Sequence, residues 1–209
     1  MGLVELYGGP GIGKSTLALG LAFALKAGHE ACPLVGGLRW ARPVAVELAD
    51  EEAAWQVREV QAAAGDARMW LGNQLRLGGA QLHRLEAQAG SGTEIVVTDS
   101  PMLLCAQYAR PDRYPAQAWR EVLRAQYAAP LRTPAGDVRL EVLPVLLRRV
   151  ERPHDLRGRV HDDAASRAVD LEVEALAREA WGDAVLEVPA TTASLPALVR
   201  AVADRGWLA

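Results

Sequence analysis

The sequence predicts an α/β protein in which a parallel sheet of about five strands lies between two layers of helices, forming a three-layer sandwich. Strand-like apolar runs, Leu3–Tyr7 and Glu94–Asp99 among them, alternate along the chain with longer segments of helical periodicity. The run Ile95–Thr98 consists only of β-branched residues, the pattern of a strand that is buried on both faces of a parallel sheet. Ligands of such sheets bind at the carboxyl ends of the strands, so the residues directly after each strand are candidate site residues.

Length and charge fit a single domain. The 209 residues carry a formal net charge of −3 and half of them are apolar, which suits a globular core and gives no overall attraction to nucleic acid. Cys32 and Cys105 form no metal or redox motif, and we expect both to be buried thiols in a reducing compartment. No apolar run approaches the roughly 18 residues of a membrane span, and we expect no leader before the first strand. We therefore expect a soluble, cytoplasmic protein without a membrane partner.

The segment Gly8–Thr16 matches the phosphate-loop motif G-x-x-x-x-G-K-[ST] between a predicted strand, 3–7, and a predicted helix, 15–27. Glycines let consecutive N–H groups turn inward around an anion, and the start of the helix adds unpaired donors. Lys14 can then reach the β- and γ-phosphates of ATP, while the Ser15 hydroxyl takes one place on Mg²⁺. The predicted nucleotide-binding residues are Gly9, Pro10, Gly11, Ile12, Gly13, Lys14, Ser15 and Thr16.

Lysine is rare in this chain. Lys14 and Lys26 are lysines, and the other 21 of the 23 basic residues are arginines. A chain that otherwise uses arginine has kept lysine in the motif, where a compact point charge on a flexible stem is needed.

After the first helix, for which Gly28 is a plausible stop, a short strand is predicted over 30–35 and a loop over 36–43. In this loop Trp40 stands between Arg39 and Arg42. The arrangement suits a nucleobase stacked on the ring with a phosphate beside it, and it equally suits a half-buried tryptophan flanked by solvated arginines.

Two helices are predicted next, over 44–64 and 66–89, and together they form an inserted region of about 44–90 on the acceptor side. They are long for a simple crossover between strands, so we expect a flap that covers the substrate, or else helices packed on the sheet. Asn73 and Gln74 of the second helix are candidate substrate-binding residues. His83 has no visible carboxylate partner and is interpreted as a surface or packing residue.

Asp99 ends the β-branched strand and is followed by Ser100 and Pro101. Because proline cannot continue the ladder, the chain turns where the carboxylate would lie beside the phosphate loop. A Walker B strand ends in this way, and Asp99 is therefore a candidate either to hold Mg²⁺ or to accept a proton from the acceptor. A turn-capping aspartate is the alternative interpretation.

The remaining chain is predicted to alternate between loops, helices and strands. Pro144 is awkward inside its strand and indicates a bulge or a shorter strand. The predicted order is a loop over 106–118, a helix over 116–128, a loop with Pro130, Pro134 and Gly136, a strand over 138–147, a helix over 162–181, a strand over 184–188 and a helix over 194–205.

A cluster of arginines follows the strand over 138–147. Five cations with few acidic neighbours repel one another unless an anion is close. A mobile lid over about 148–163 could place them on a phosphoryl group under transfer, and Arg149 is the candidate for transition-state stabilisation. A solvated basic loop is the alternative. The five are Arg148, Arg149, Arg152, Arg157 and Arg159.

The chain resembles small bacteriophage-type P-loop proteins, usually described as AAA-like ATPases or nucleotide kinases. The matching stretches are 7–16, 71–75 with 81–85, 96–101, and 148–150 leading to 157–159. The resemblance implies a P-loop NTPase fold of the nucleoside or nucleotide kinase type, with Asp99 as the acidic residue and an arginine-rich lid. Some proteins of this kind phosphorylate the hydroxymethyl group of 5-hydroxymethyluracil in phage DNA. If this chain is phage-encoded, the expected compartment is the cytoplasm of the host.

Three functions are compatible with these signals. The first is an ATP- and Mg²⁺-dependent kinase acting on a nucleoside, a nucleotide or a modified base in DNA, as a monomer or homodimer. The second is an ATPase that couples hydrolysis to movement, but Ser100 stands where such proteins usually carry a water-activating glutamate. The third is a binding module without chemistry, which the joint presence of Lys14, Ser15 and Asp99 disfavours.

Overall fold

The computed structural model describes residues 1–31, 43–48, 67–108, 116–150 and 163–208. In this part of the chain, five parallel strands form one sheet in the order β2-β3-β1-β6-β7, and an antiparallel hairpin, β4–β5, lies apart from it. The strands are β1 (Gly2–Tyr7), β2 (Val44–Glu47), β3 (Ile95–Thr98), β4 (Leu131–Thr133), β5 (Gly136–Val138), β6 (Glu141–Arg148) and β7 (Leu186–Pro189). The helices are α1 (Lys14–Ala31), α2 (Ala67–Gly90), α3 (Leu103–Tyr108), α4 (Ala116–Ala128), α5 (Asp163–Trp181) and α6 (Leu195–Asp204).

The central strand β1 is buried along its whole length, because helices cover both faces of the sheet. Val4 and Leu6 point to one face, where they pack with α1 and α6. Leu3 and Tyr7 point to the other, where the core contains side chains of α2, α3, α4 and α5. Strict alternation along β1 therefore supplies apolar groups to two separate cores, as expected of a fully buried parallel strand.

The position of β1 brings three chain segments together. β1 pairs with β3 on one side and β6 on the other, in parallel register. The helix after β1 packs on one face of the sheet, whereas the helices after β3 and β6 pack on the opposite face. Such a reversal opens a crevice at the carboxyl ends of the strands, where ligands of α/β proteins bind.

The prediction of an α/β fold with five parallel strands between helices is confirmed. Helices predicted over 66–89, 116–128 and 162–181 agree with the structure to within one residue at each end. α1 runs to Ala31, but Gly28 has φ 66 and breaks the helical geometry at the predicted stop.

Other boundaries were predicted wrongly. Val44–Glu47 is not the start of a helix but the edge strand β2, paired with β3. The apolar run Val-Ala-Val is too short to distinguish the repeat of a strand from that of a helix, so it fits the helical pattern that follows it. Residues 30 and 31 are helical, and the rest of the predicted 30–35 strand lies outside the described residues.

Loops also contain more regular structure than predicted. Leu103–Tyr108 is a helix whose first four side chains are buried. The stretch with Pro134 and Gly136 forms the β4–β5 hairpin, in which Gly136 has φ 123. Residues 67–90 form a helix with Leu85 in the core beneath the sheet, so this part of the predicted insertion packs on the fold.

Pro144 lies inside β6 without a bulge. It is opposite Glu5 of β1, and pairing of β6 with β7 begins only at the next residue, Val145. On the β7 side the strand has no partner at Pro144, so the missing N–H breaks no ladder.

Glu5 is an acidic residue in the middle of the core. Its carboxylate accepts hydrogen bonds from the hydroxyls of Tyr7 (2.7 Å) and Tyr127 (2.5 Å), and Trp181 Nε1 donates to the Tyr7 oxygen (2.9 Å). Burial raises the pKa of Glu5 from 4.5 to about 7, although the two tyrosine hydrogen bonds oppose the shift. The carboxylate is thus satisfied by donors but costly to ionise.

Replacing Glu5 with glutamine is expected to stabilise the protein increasingly as the pH rises. With a folded pKa above the unfolded one, wild-type stability is fully present below pH 4.5 and falls until pH 7, by about 3 kcal/mol. Glu5→Gln has no ionisable group at this position, so it lacks this pH-dependent loss of stability. Urea unfolding of both proteins between pH 4.5 and 8 should therefore give a difference that grows with pH and then levels off. A difference independent of pH would contradict the burial argument.

Candidate functional site

The loop between β1 and α1, residues Gly8 to Gly13, is hereafter the glycine-rich loop. Gly11 and Gly13 have φ values of 70 and 110, a left-handed conformation that favours glycine. The first hydrogen bond into α1 runs from Leu17 N–H to Gly13 O (3.1 Å), so the preceding N–H groups of the helix start are left for another acceptor. An anion is the acceptor that this arrangement attracts, because the positive end of the helix dipole lies at the same place.

Lys14 lies folded against the loop that it follows. Its Nζ donates to the carbonyl oxygens of Gly8 (2.8 Å) and Gly9 (2.9 Å). Burial lowers the pKa of Lys14 from 10.5 to about 8, against the attraction of Asp99 and Asp170 and with some repulsion from Arg149. The ammonium is therefore held in the loop by weak carbonyl acceptors, which a phosphate oxygen can replace with a charge-assisted bond.

Asp99 directly follows β3 and lies beside the glycine-rich loop, because β3 pairs with β1. Its side chain is buried, with 2% exposure. Oδ2 accepts a hydrogen bond from the Ser15 hydroxyl, and Oδ1 accepts one from the Ser100 hydroxyl (3.0 Å). The structure thus brings Ser15 and Asp99, each predicted separately as a candidate metal-binding residue, into direct contact.

The Ser15–Asp99 pair fits a hard divalent cation. Mg²⁺ is usually held by one or two carboxylates together with substrate phosphates and several waters, rather than by a full protein cage. Within the described residues no group of three or more His, Cys, Asp or Glu could hold a metal ion. One carboxylate and one hydroxyl beside the glycine-rich loop nevertheless fit the few protein ligands that Mg²⁺ takes when a nucleotide supplies the others.

Arg149 comes from the third strand of the crevice, since it follows β6. Its Nη2 donates to Pro10 O of the glycine-rich loop (3.0 Å). The same guanidinium pairs with Asp170 of α5 through Nε (2.6 Å) and Nη2 (3.0 Å). Of the predicted lid arginines that the structure describes, Arg149 is the one that contacts the loop.

Arg148 lies in a different environment. Its guanidinium pairs with Glu174 and with Glu187 (2.7 Å), and Arg178 binds the same two carboxylates. These four charges form a surface network in which the Arg148 side chain is 43% exposed. Because neighbouring residues at the end of a strand point in opposite directions, Arg148 and Arg149 do not share one role.

Asp170 was not predicted as a site residue. Its Oδ1 accepts the Gly9 N–H (2.8 Å) in addition to the bond from Arg149. A Cβ at Gly9 would lie 2.3 Å from this oxygen and 2.9 Å from Ser166 O, so only glycine permits the contact. In the sequence Asp170 is one of several acidic residues on an amphipathic helix, and no local pattern distinguishes it.

Polar residues also line the crevice beyond Asp99. Glu47, the last residue of β2, pairs with Arg84 Nε (2.6 Å). Gln81 Nε2 donates to Ser100 O (2.7 Å). A small cavity adjoins these groups, lined by Leu3, Glu5, Glu47, Gln81, Leu85, Thr98, Ser100 and Met102.

The two predicted substrate-binding residues of α2, Asn73 and Gln74, lie nearer the start of this helix. Gln74 is buried and Asn73 is half-buried, two helical turns before Gln81.

Thr16 is exposed in the first turn of α1, and Ile12 is buried beneath the loop. The predicted residues Arg39, Trp40, Arg152, Arg157 and Arg159 lie outside the described residues.

No protein-family model matches the chain, and no curated protein matches it at a significant level. No helix in the described part is long and apolar enough to cross a membrane. The geometry of the crevice therefore carries the functional proposal.

Proposed function

We propose that the protein is a P-loop kinase that transfers the γ-phosphate of ATP to a hydroxyl or phosphate group of a nucleoside, a nucleotide or a modified base in DNA. The observation that carries the proposal is the meeting of three strand ends. The end of β1 carries the glycine-rich loop and Lys14, and the end of β3 carries the buried Asp99, which is bonded to Ser15. The end of β6 carries Arg149, which is bonded to the loop. Phosphoryl transfer requires these parts, because it depends on positioning and on charge stabilisation more than on covalent chemistry.

On the donor side each group has a distinct task. The first N–H groups of α1 bind phosphate oxygens, and Lys14 exchanges its two carbonyl acceptors for the β- and γ-phosphates. Arg149, bonded to the loop at Pro10, neutralises charge that develops on the group in transfer.

Ser15 and Asp99 would hold Mg²⁺, which supplies charge neutralisation between the β- and γ-phosphates when bound. Both Asp99 oxygens already accept hydrogen bonds, from Ser15 and Ser100. Such an arrangement orients the carboxylate towards the start of α1, which favours metal holding over proton abstraction among the two roles open to Asp99.

Transfer is favoured over hydrolysis by the residue next to Asp99 in the chain. Ser100 stands where a water-activating glutamate would be expected, and its hydroxyl is bonded to Asp99. The resemblance to phage proteins adds 5-hydroxymethyluracil in DNA as an acceptor, and the polar wall of Glu47, Arg84 and Gln81 beside Asp99 is suited to a hydroxyl-bearing acceptor.

The test is incubation with γ-labelled ATP and Mg²⁺ against a panel of nucleosides, nucleoside monophosphates, plain DNA, and DNA that contains 5-hydroxymethyluracil. We expect label on one class of acceptor, and none when EDTA removes the metal. Release of labelled phosphate into water, with no acceptor labelled, would favour an ATPase instead.

A further inference from the structure

Asp170 of α5 binds both the glycine-rich loop and the arginine beside it. Oδ1 accepts the Gly9 N–H (2.8 Å) and Arg149 Nη2 (3.0 Å), while Oδ2 accepts Arg149 Nε (2.6 Å). The pair with Arg149 is bidentate, the geometry that fixes a guanidinium plane as well as its position. One carboxylate therefore joins the segment after β6, the loop after β1, and the helix α5.

The pair is shielded from solvent. Side-chain exposure is 12% for Arg149 and 21% for Asp170, against 43% for the neighbouring Arg148. Screening by water and salt is weaker at such a site than at the surface, so the ion pair holds its geometry. Arg149 is further fixed by its bond to Pro10 O, whereas its Nη1 makes no hydrogen bond to the described residues.

Asp170 itself is unsuited to contact a nucleotide, since a carboxylate repels phosphate. Its effect must pass through groups that do face the phosphates. Arg149 is that group, because it spans from Asp170 to the loop that binds the anion.

We propose that Asp170 is a positioning residue that holds Arg149 in the orientation required for phosphoryl transfer. The inference rests on the proposed kinase function and extends it to a residue on α5. A guanidinium that loses its bidentate partner can rotate, and a displacement of about 1 Å in such a group costs about 10²-fold in rate. We therefore expect Asp170→Asn to lower kcat about 10²-fold and to raise KM for ATP by a smaller but measurable factor.

Asparagine is the informative substitution. Its amide oxygen can still accept the Gly9 N–H, but it lacks the charge and the second acceptor that Arg149 uses. Asp170→Ala removes both links, so the difference between the two variants measures the tether to Gly9 separately. Asp170→Glu keeps the charge and is expected to retain more activity than Asp170→Asn. Glu172→Gln, on the exposed side of the same helix, is the matched control.

A double-mutant cycle with Arg149→Ala shows whether Asp170 acts by positioning Arg149 or by stabilising the fold as a whole. If Asp170 acts through Arg149, Asp170→Asn should cost less than about twofold in kcat in the Arg149→Ala background. Effects that multiply, or full activity of Asp170→Asn alone, would overturn the proposal. If Asp170→Asn does not fold, as judged by thermal unfolding, the same cycle with Asp170→Glu gives the same decision.

The affinity for a non-hydrolysable ATP analogue, measured without any acceptor, separates this inference from the proposed function. Absence of transfer in the wild-type protein would refute the kinase proposal alone. The cycle read on affinity would still show coupling of Asp170 to Arg149 if the positioning role is correct, and independent effects if it is not.

Discussion

Replacing Lys14 with alanine is expected to abolish phosphoryl transfer, with a loss of at least about 10³-fold in kcat/KM, the scale for a preorganised donor to a developing negative charge. The Lys14 ammonium carries a full positive charge, and two neutral carbonyl oxygens hold it against the glycine-rich loop. Transfer rate with the labelled acceptor and affinity for an ATP analogue are the measurements. Full activity of Lys14→Ala would remove the loop from the mechanism.

Composition provides an unusual control for this variant. Lys26 is the second of two lysines in the chain, and it is exposed on α1, the helix that Lys14 begins. Lys26→Ala removes the same charge and the same side chain from the same helix without touching the loop. We expect its activity and melting temperature to match those of the wild-type protein, which would exclude a general effect of net charge.

The pH dependence of nucleotide affinity tests Lys14 without removing it. Burial lowers its pKa to about 8, and a bound phosphate would raise it again by favouring the charged form. Affinity for an ATP analogue should therefore be constant below pH 8 and fall about tenfold per pH unit above it. In Lys14→Arg the decline should be absent, because arginine stays charged across this range. A decline of equal size in both proteins would assign it to another group.

The two halves of the site differ in how far the sequence could reveal them. Gly11, Gly13 and Lys14 form a local motif, in which backbone conformation and charge are dictated by neighbours in sequence. In the structure the two glycines have positive φ, and Lys14 Nζ donates to Gly8 O. Predicting Asp99 takes one further inference: the β-branched run is a buried strand, and the residue at its carboxyl end lies at the ligand-binding edge of the sheet. Its contact with Ser15 follows from the pairing of β1 with β3.

Arg148 and Arg149 show where a composition argument stops. A cluster of arginines predicts an anion nearby but does not say which residue meets it. The two arginines have different acidic partners. Arg148 forms ion pairs with Glu174 of α5 and Glu187 of β7, whereas Arg149 pairs with Asp170 of α5. Contacts between residues this far apart in sequence depend on the packing of α5, and one sequence contains no local sign of them.

β2 illustrates the same limit for the fold. Val44–Glu47 is four residues long, so its apolar pattern fits a helix as well as a strand. Pairing with β3 decides the outcome, because an edge position beside a buried strand satisfies backbone groups that a helix would satisfy internally. The result places Glu47 at the carboxyl edge of the sheet, a position that the helical prediction did not provide.

Asp99→Asn is expected to lower turnover by about 10³-fold while leaving metal-free nucleotide affinity unchanged. The amide is a neutral and weaker ligand for Mg²⁺, and its NH₂ group must face a hydroxyl that now donates to Asp99. Rate of transfer and affinity for an ATP analogue, each measured with and without Mg²⁺, are the readouts. Asp137→Asn, on the exposed β5 strand of the hairpin, is the control and should behave as wild type.

The metal dependence of affinity then separates the two roles that the sequence left open for Asp99. A metal-holding aspartate contributes to the extra affinity that Mg²⁺ confers, so the asparagine variant should bind the analogue equally with and without the ion. A proton-accepting aspartate makes no such contribution, and its loss would reduce transfer while Mg²⁺ still strengthened binding. The bonds from Ser15 and Ser100 favour the first result, since they orient the carboxylate towards the start of α1. Near-normal turnover of Asp99→Asn would contradict both roles and would place the acid of this site elsewhere.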